Sequence, residues 1–225
     1  VIEALANVKA VALDKTGTIT SGEFKVQNVE TVGSHVSNAQ LLSMASAIEA
    51  VSTHPIATSI VSEAKAQGIV VEASDFVQEL AGEGMVGTVD GQQVLVGNRR
   101  LMERYAVQGY PTETTEYGTE VLVAEGNVYL GRIIIADEAR PDSAEAIANL
   151  NGQDIKTVML TGDAEASANY IAKETGVSAV RAQLLPQDKL SVVQDIRSEY
   201  GPTMFVGDGI NDAPVLAGAD VGGAM

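Results

Sequence analysis

The chain has 225 residues and a formal net charge of −16, with 45% hydrophobic residues, 4% aromatic ones, and neither Trp nor Cys. The acidity excludes nucleic acid as a general partner, because a phosphate backbone is held by clustered Lys and Arg, and it opposes anchoring on an anionic membrane surface. A nucleotide remains compatible, since a metal ion can bridge acidic side chains and phosphates. The lack of Cys excludes disulfides and thiolate metal sites and fits a reducing compartment.

A core so poor in aromatics must be built from Ala, Val, Ile and Leu, which favours β-branched strands packed on Ala-rich helices. No stretch approaches the roughly 18–20 apolar residues of a membrane span; the most apolar piece, 128–136, carries Arg132. Residues 1–13 contain no basic leader, and the chain reads as a piece of a longer polypeptide.

The run Val8 to Leu13 is apolar and β-prone and ends in Asp14-Lys15-Thr16-Gly17-Thr18-Ile19-Thr20. This predicts a buried strand with a carboxylate at its tip and a glycine turn beyond it. Open α/β sheets bind ligands just past the carboxyl ends of their strands, so Asp14 is a candidate nucleophile for a phosphoryl group. A strand follows over 24–32. Residues 38–51 have helical periodicity, with Leu41, Leu42, Ala45, Ile48 and Val51 on one face and Ser37 or Asn38 as cap. Ser52-Thr53-His54-Pro55 interrupts it, and a second helix over 55–67 stops at Gly68.

A β-rich stretch comes next. Residues 76–80 lead through Gly82 and Gly84 to a hairpin over 85–97, whose Asp90-Gly91 supplies the positive φ of a type I′ turn. Residues 98–107 read as helical, and 119–136 as a second hairpin. Strands here alternate with turns, so the region is α+β with an antiparallel sheet. From Asp137 the pattern changes to β-α repetition. Helices are expected at 141–150, 164–175, 186–200 and 211–217, with strands at 156–160, 177–182, 203–206 and 220–225. That pattern predicts a doubly wound parallel sheet.

Asp14, Asp163 and Asp208 each follow a strand, and in a parallel sheet such tips share one edge. The first strand must then join the later sheet. The expected organisation is an α/β Rossmann-like domain from 1–31 and 137–225, interrupted by an α+β insert over 32–136. Asp14, Asp208 and Asp212 form an acidic cluster suited to Mg2+, which takes few carboxylates and completes its shell with water and phosphate oxygens. Thr161 and Gly162 can offer a hydroxyl and an N–H to phosphate, and Lys189 a positive charge at a helix start.

Taken together, Asp14-Lys15-Thr16-Gly17-Thr18-Ile19-Thr20, Thr161-Gly162-Asp163, Lys189 and Gly207-Asp208-Gly209-Ile210-Asn211-Asp212-Ala213-Pro214 resemble the phosphorylation domain of P-type ATPases, members of the haloacid-dehalogenase-like superfamily. The resemblance implies that ATP phosphorylates Asp14 and that Asp14, Asp208 and the Thr16 carbonyl hold Mg2+. It further implies that Thr161, Gly162 and Lys189 contact the phosphoryl group. Lys15, Thr16 and Asp163 are carried along in the matched motifs, and Asn211 and Asp212 support the site. Soluble phosphatases of the superfamily carry a second Asp where this chain has Thr16. Without that base the acyl phosphate should persist.

In the insert, Ser52-Thr53-His54-Pro55 with Glu49 upstream, Gly82-x-Gly84 and Val96-Gly97-Asn98 resemble the nucleotide-domain motifs of the heavy-metal-transporting class. They imply an ATP site at Glu49, His54, Gly82, Gly84 and Asn98. Asp137 and Arg140, in Asp137-Glu138-Ala139-Arg140-Pro141, resemble a hinge motif that ties the insert's exit to the nucleotide. Pro141 is expected to open the helix that follows. His35 matches nothing. The implied partners are ATP, a transported heavy-metal cation bound by membrane helices outside this chain, and the actuator and transmembrane domains of the same polypeptide. The implied location is the cytoplasmic side of an integral membrane protein. Ser52-Thr53-His54-Pro55 leans toward zinc or cadmium, with copper as the alternative. The rival readings are a soluble phosphohydrolase with a cap domain and a nucleotide-binding module without chemistry.

Overall fold

The computed structural model describes residues 6–33, 36–74, 76–115, 117–208 and 212–225. His35 and Asn211 lie outside the described residues. The chain divides into two compact units, Val1–Glu23 with Asp137–Met225, and Phe24–Ala136.

The first unit is built on a five-stranded parallel sheet. Its strands are β1 (Ala10–Asp14), β8 (Lys156–Leu160), β9 (Ala179–Arg181), β10 (Thr203–Gly207) and β11 (Val221–Ala224), in the order β11-β10-β1-β8-β9. The amino-terminal strand therefore sits in the middle of a sheet otherwise supplied by the carboxy-terminal part of the chain. Asp14 is in register with Leu160, and Leu13 with both Met159 and Val206, so the tips of three strands come level on one edge.

The alternation in β1 explains its central place. Val11 and Leu13 pack with Ile147 of α4 (Ser143–Gly152) and with Ala168 and Ile171 of α5 (Glu165–Thr175). Ala10 and Ala12 face the other way, with Phe205, Val193 and Ile196 of α6 (Asp188–Tyr200), and Val215 of α7 (Ala213–Gly218). Small residues on that face leave room for Phe205, which is completely buried. Two expectations shift here. The helix after Arg140 begins at Ser143 with Asp142 as its cap, so Pro141 precedes it. The strand before it, β7 (Val128–Ala139), runs past Ala136.

The second unit carries a six-stranded sheet in the order β2-β7-β6-β5-β4-β3, with β2 (Thr20–Thr31), β3 (Val77–Leu80), β4 (Gly84–Val89), β5 (Gln92–Gly97) and β6 (Thr119–Glu125). Pairing from β3 through β7 is antiparallel. The β4–β5 turn has Asp90 and Gly91 at φ 51° and 79°, the pair of positive values that a type I′ turn requires. One face of the sheet packs under α1 (Asn38–Glu49) and α2 (Pro55–Ala66) through Leu41, Leu42, Ile48, Ile60, Val94, Val96 and Ile133. The opposite face packs Leu95 and Leu122 with Leu101 and Met102 of α3 (Arg99–Arg104).

Ser37 and Gln40 form a reciprocal capping box at the start of α1. That helix stops at Glu49, which leaves Val51 exposed instead of on the inward face. Because β2 is one unbroken strand from Thr20, the first crossing between the units falls at Glu23/Phe24, upstream of the Thr31 boundary expected from the sequence.

Gly131 in β7 marks a close backbone approach: a Cβ there would stand 2.2 Å from the Glu30 carbonyl oxygen and 2.9 Å from Leu41 Cδ2. Gly131→Ala should therefore destabilise the protein by about 3 kcal/mol through overpacking. Gly126, with φ 55° and open space around it, should lose only about 1 kcal/mol on the same change, from backbone strain. Urea unfolding of the two variants checks the contrast.

Candidate active site

Asp14 closes a strand buried along its whole length and is itself only 8% exposed. Lys189, in the first turn of α6, donates from Nζ to Asp14 Oδ1 at 2.8 Å and to Asp212 Oδ1 at 2.9 Å. Burial raises the Asp14 pKa, with the Lys189 ammonium pulling against it. For Lys189 burial would lower the pKa, but hydrogen bonds to the two carboxylates more than reverse this. The lysine is thus a fixed cation between two acids. Asp212 is 2% exposed, and its Oδ2 has no hydrogen-bond partner among the described residues. A Cβ at Gly207 would stand 2.5 Å from that oxygen, so the glycine makes room for it.

After Asp14 the chain turns through exposed Thr16 and through Gly17 at φ 75°. A Cβ at Gly17 would lie 3.8 Å from the Cβ of Asp208, which sets Asp208 beside the turn. Thr161 follows β8 directly, one position beyond the register partner of Asp14, and is 2% exposed; its hydroxyl accepts from the Asp163 N–H at 3.1 Å. Gly162 lies where a Cβ would come within 3.1 Å of the Leu184 carbonyl oxygen.

Lys15 is buried and points elsewhere, to Asp163 at 2.8 Å and Asp137 at 3.7 Å. Asp137 also accepts from the Thr20 hydroxyl and, at 3.0 Å, from the Gly22 N–H. Arg140 donates to the carbonyls of Thr20 and Gly17, both at 3.4 Å. Asp137 and Arg140 therefore brace the segment that leaves the Asp14 turn, and the described partners of both lie in the first unit. The hinge motif marked both residues in the sequence, but not their contacts with Thr20, Gly22 and Gly17. The oxygen donors at the tip, the carboxylates of Asp14 and Asp208 and the Thr16 carbonyl, suit a hard cation. With Lys15 committed to Asp163 and Asp137, Lys189 faces Asp14 and Asp212 without a second lysine beside it. That charge balance also fits a divalent ion.

The second unit holds a cavity of about 280 Å³ into which Glu49, His54, Gly82, Gly84 and Asn98 all converge. His54 caps α2, its Nδ1 accepting from the Ile56 N–H at 3.2 Å. An Nδ1 that accepts leaves the proton of a neutral imidazole on Nε2, as a donor. Asn98 caps α3 by accepting from Arg100 N–H at 3.0 Å, and donates to the Gly82 carbonyl at 2.8 Å. One side chain thereby joins two of the sequence motifs. Gly84 answers to packing: a Cβ there would meet the Val96 carbonyl oxygen at 2.3 Å.

Glu79, Thr119 and Glu120 also line the cavity, unannounced by any motif. Burial, with Glu79 nearby, pushes the Glu49 pKa up to about 7. The folded state thus keeps a proton on Glu49 to about pH 7, whereas the unfolded state loses it near 4.5. The parent protein loses stability as pH rises through that window. Glu49→Gln should match the parent near pH 4.5 and exceed it above pH 7, by up to roughly 3 kcal/mol. Thermal unfolding of both proteins between pH 4.5 and 8 checks this.

A family model described as a haloacid dehalogenase-like hydrolase matches residues 8–220. Over its whole length the chain is 42% identical to a cadmium/zinc-transporting ATPase of Oryza sativa subsp. japonica and 44% identical to a zinc-transporting ATPase of Synechocystis sp.. It spans 22% and 31% of those proteins. A crystal structure of a zinc-transporting PIB-type ATPase in the E2.Pi state superposes with a TM-score of 0.87 at 35% identity, covering 98% of this chain and 36% of the other. The catalytic domain of the CPx-ATPase CopB-B, in a study of nucleotide binding, gives 0.72 at 26% identity and covers 100% of this chain and 82% of its own. With its Asp14 strand tip and the match over residues 8–220, the chain belongs to the haloacid dehalogenase-like hydrolase family.

Proposed function

We propose that this chain is the ATP-binding and phosphoryl-accepting part of a heavy-metal-transporting P-type ATPase, of the zinc/cadmium kind, and that Asp14 is the residue phosphorylated. The observation that carries the reading is the Asp14–Lys189–Asp212 arrangement at the tip of the central strand. Full-length similarity to cadmium- and zinc-transporting ATPases supports the class.

In the proposed reaction an Asp14 carboxylate oxygen attacks the γ-phosphorus of ATP. An oxygen–phosphorus bond forms at Asp14 as the bond to the bridging oxygen breaks, and ADP leaves. Lys189 holds Asp14 in place beforehand and can then face the negative oxygens of the transferred group. Thr161 and Gly162 offer a hydroxyl and a backbone N–H from the neighbouring strand tip. Asp14, Asp208 and the Thr16 carbonyl would hold Mg2+, which when bound supplies charge neutralisation for an anionic nucleophile meeting a polyphosphate. Thr16, exposed in the turn, offers no carboxylate to activate water, which favours a lasting aspartyl phosphate.

The adenine would occupy the cavity of Glu49, His54 and Asn98, with the His54 Nε2–H and the Glu49 carboxyl as its polar contacts. Among the described residues no helix is long and apolar enough to cross a membrane. The metal path, the actuator and the transmembrane partners would belong to other parts of the same polypeptide, with this part on the cytoplasmic side.

Incubation with Mg-ATP should add the mass of one phosphoryl group at Asp14, and Asp14→Asn should abolish the adduct. Lys189→Met should slow its formation by about a hundredfold, the scale for removing one aimed charge. Steady hydrolysis of a generic phosphomonoester, lost in Asp14→Asn, would overturn the reading in favour of a phosphohydrolase with a cap domain.

A further inference from the structure

Beside the cavity of Glu49 and His54 opens a second one of about 620 Å³, lined by Asn98, Arg99, Arg100, Thr114, Thr115, Gly118 and Glu120. Asn98 and Glu120 are walls of both. The two cavities differ in charge. The first has Glu49, Glu79, Glu83 and Glu120 around it. Glu83 is neutralised by Arg104, at 2.6 and 2.7 Å, and Glu120 by Arg99 and Arg132, at 2.9 and 2.7 Å. Glu49 and Glu79 make no side-chain hydrogen bond or ion pair among the described residues. Glu79, joined by Glu49 once that residue loses its proton above about pH 7, repels a polyphosphate, whereas a base that donates from an amino group can lie against them.

The second cavity is cationic at its rim. Arg99 is committed to the structure: it donates to the Pro111 carbonyl, to the Glu113 carbonyl at 2.7 Å and to Glu120, and its guanidinium stands 5.8 Å from the Tyr110 ring centre. It ties Pro111, Glu113 and Glu120 to the start of α3. Arg100 is exposed and, among the described residues, makes no side-chain hydrogen bond and no ion pair; its charge acts on Glu83, which is already bound by Arg104. The Arg100 N–H is taken by the Asn98 side chain. An anion here must therefore be held by the guanidinium itself rather than by the first turn of α3.

We propose that the cavity of Arg99, Arg100, Thr114 and Thr115 receives the polyphosphate of the nucleotide whose base occupies the neighbouring acidic cavity, with Arg100 as its direct ligand. The proposal rests on the adenine site advanced above and adds a residue that no motif in the chain marks. A guanidinium can meet phosphate oxygens through two N–H groups at once, and the Thr114 and Thr115 hydroxyls can donate beside it.

The test is calorimetric titration of the intact chain and of Arg100→Gln with adenosine and with ATP. The residue is exposed, and its side chain bonds to none of the described residues, so the variant should fold as the parent does. The expected result is unchanged affinity for adenosine and a roughly tenfold loss for ATP, the scale of one charge-assisted hydrogen bond. The parent's preference for ATP over adenosine should also shrink as salt rises. Equal ATP affinity in parent and Arg100→Gln, with adenosine still bound, would overturn the phosphate subsite and leave the adenine site standing. Absence of adenosine and ATP binding in the parent, or binding that survives combined Glu49→Ala and His54→Ala changes, would overturn both.

Discussion

A carboxylate at the end of a strand buried on both faces cannot stay ionised without a partner, and the first unit is arranged around that requirement. β1 is hemmed in by β8 and β10 and by helices on either face, so Asp14 emerges where water is scarce. Lys189 answers this from α6, but it also serves Asp212, which is more deeply buried than Asp14. One ammonium between two acids leaves excess negative charge. That excess is tolerable at a site that, in the proposed reading, receives a divalent cation, and it is costly anywhere else. Stability and chemistry are therefore tied to the same three side chains.

The same economy governs the crossings between the units. Asp137 stands where the chain re-enters the first unit and accepts from Thr20 and Gly22, which stand where it leaves. Lys15, the residue after the proposed nucleophile, joins that carboxylate to Asp163 in the loop after β8. A chain that leaves a parallel sheet after its central strand and returns more than a hundred residues later needs its two ends fastened. A buried carboxylate with two hydrogen-bond donors and an ammonium at ion-pair distance is a compact fastening.

Much of this was legible beforehand, for physical reasons that differ by region. The strand tips were readable because apolar runs ending in Asp14, Thr161-Gly162-Asp163 and Gly207-Asp208 leave little choice of secondary structure, and the β-α repetition fixes the sheet as parallel. The cavity in the second unit was readable as far as its motifs went: Glu49, His54, Gly82, Gly84 and Asn98 do converge. Roles that depend on partners far away in sequence were not readable. Lys15 looked like part of the reacting tip, yet its charge is spent on Asp163 and Asp137. Gly84 looked like an opening for a ligand, yet its first duty is to let β4 pass the Val96 carbonyl. Glu79 and Glu120 belong to ordinary strand sequence, and only the antiparallel pairing brings them to the cavity.

Thr16 bears on how long a phosphoryl group would stay at the tip. In the proposed reading the energy of the nucleotide is stored in one acyl phosphate bond, and storage fails if water reaches it with a base at hand. The turn after Asp14 exposes position 16 to solvent, where a carboxylate would be well placed to activate water. A threonine there keeps the backbone carbonyl available as a ligand and removes that base. Lys189 cannot replace it, because an ammonium held by two carboxylates has no lone pair to offer, and its raised pKa keeps it so across the physiological range. In the proposed reading the described residues hold a phosphoryl group at the tip better than they release one, and release falls to a group outside them.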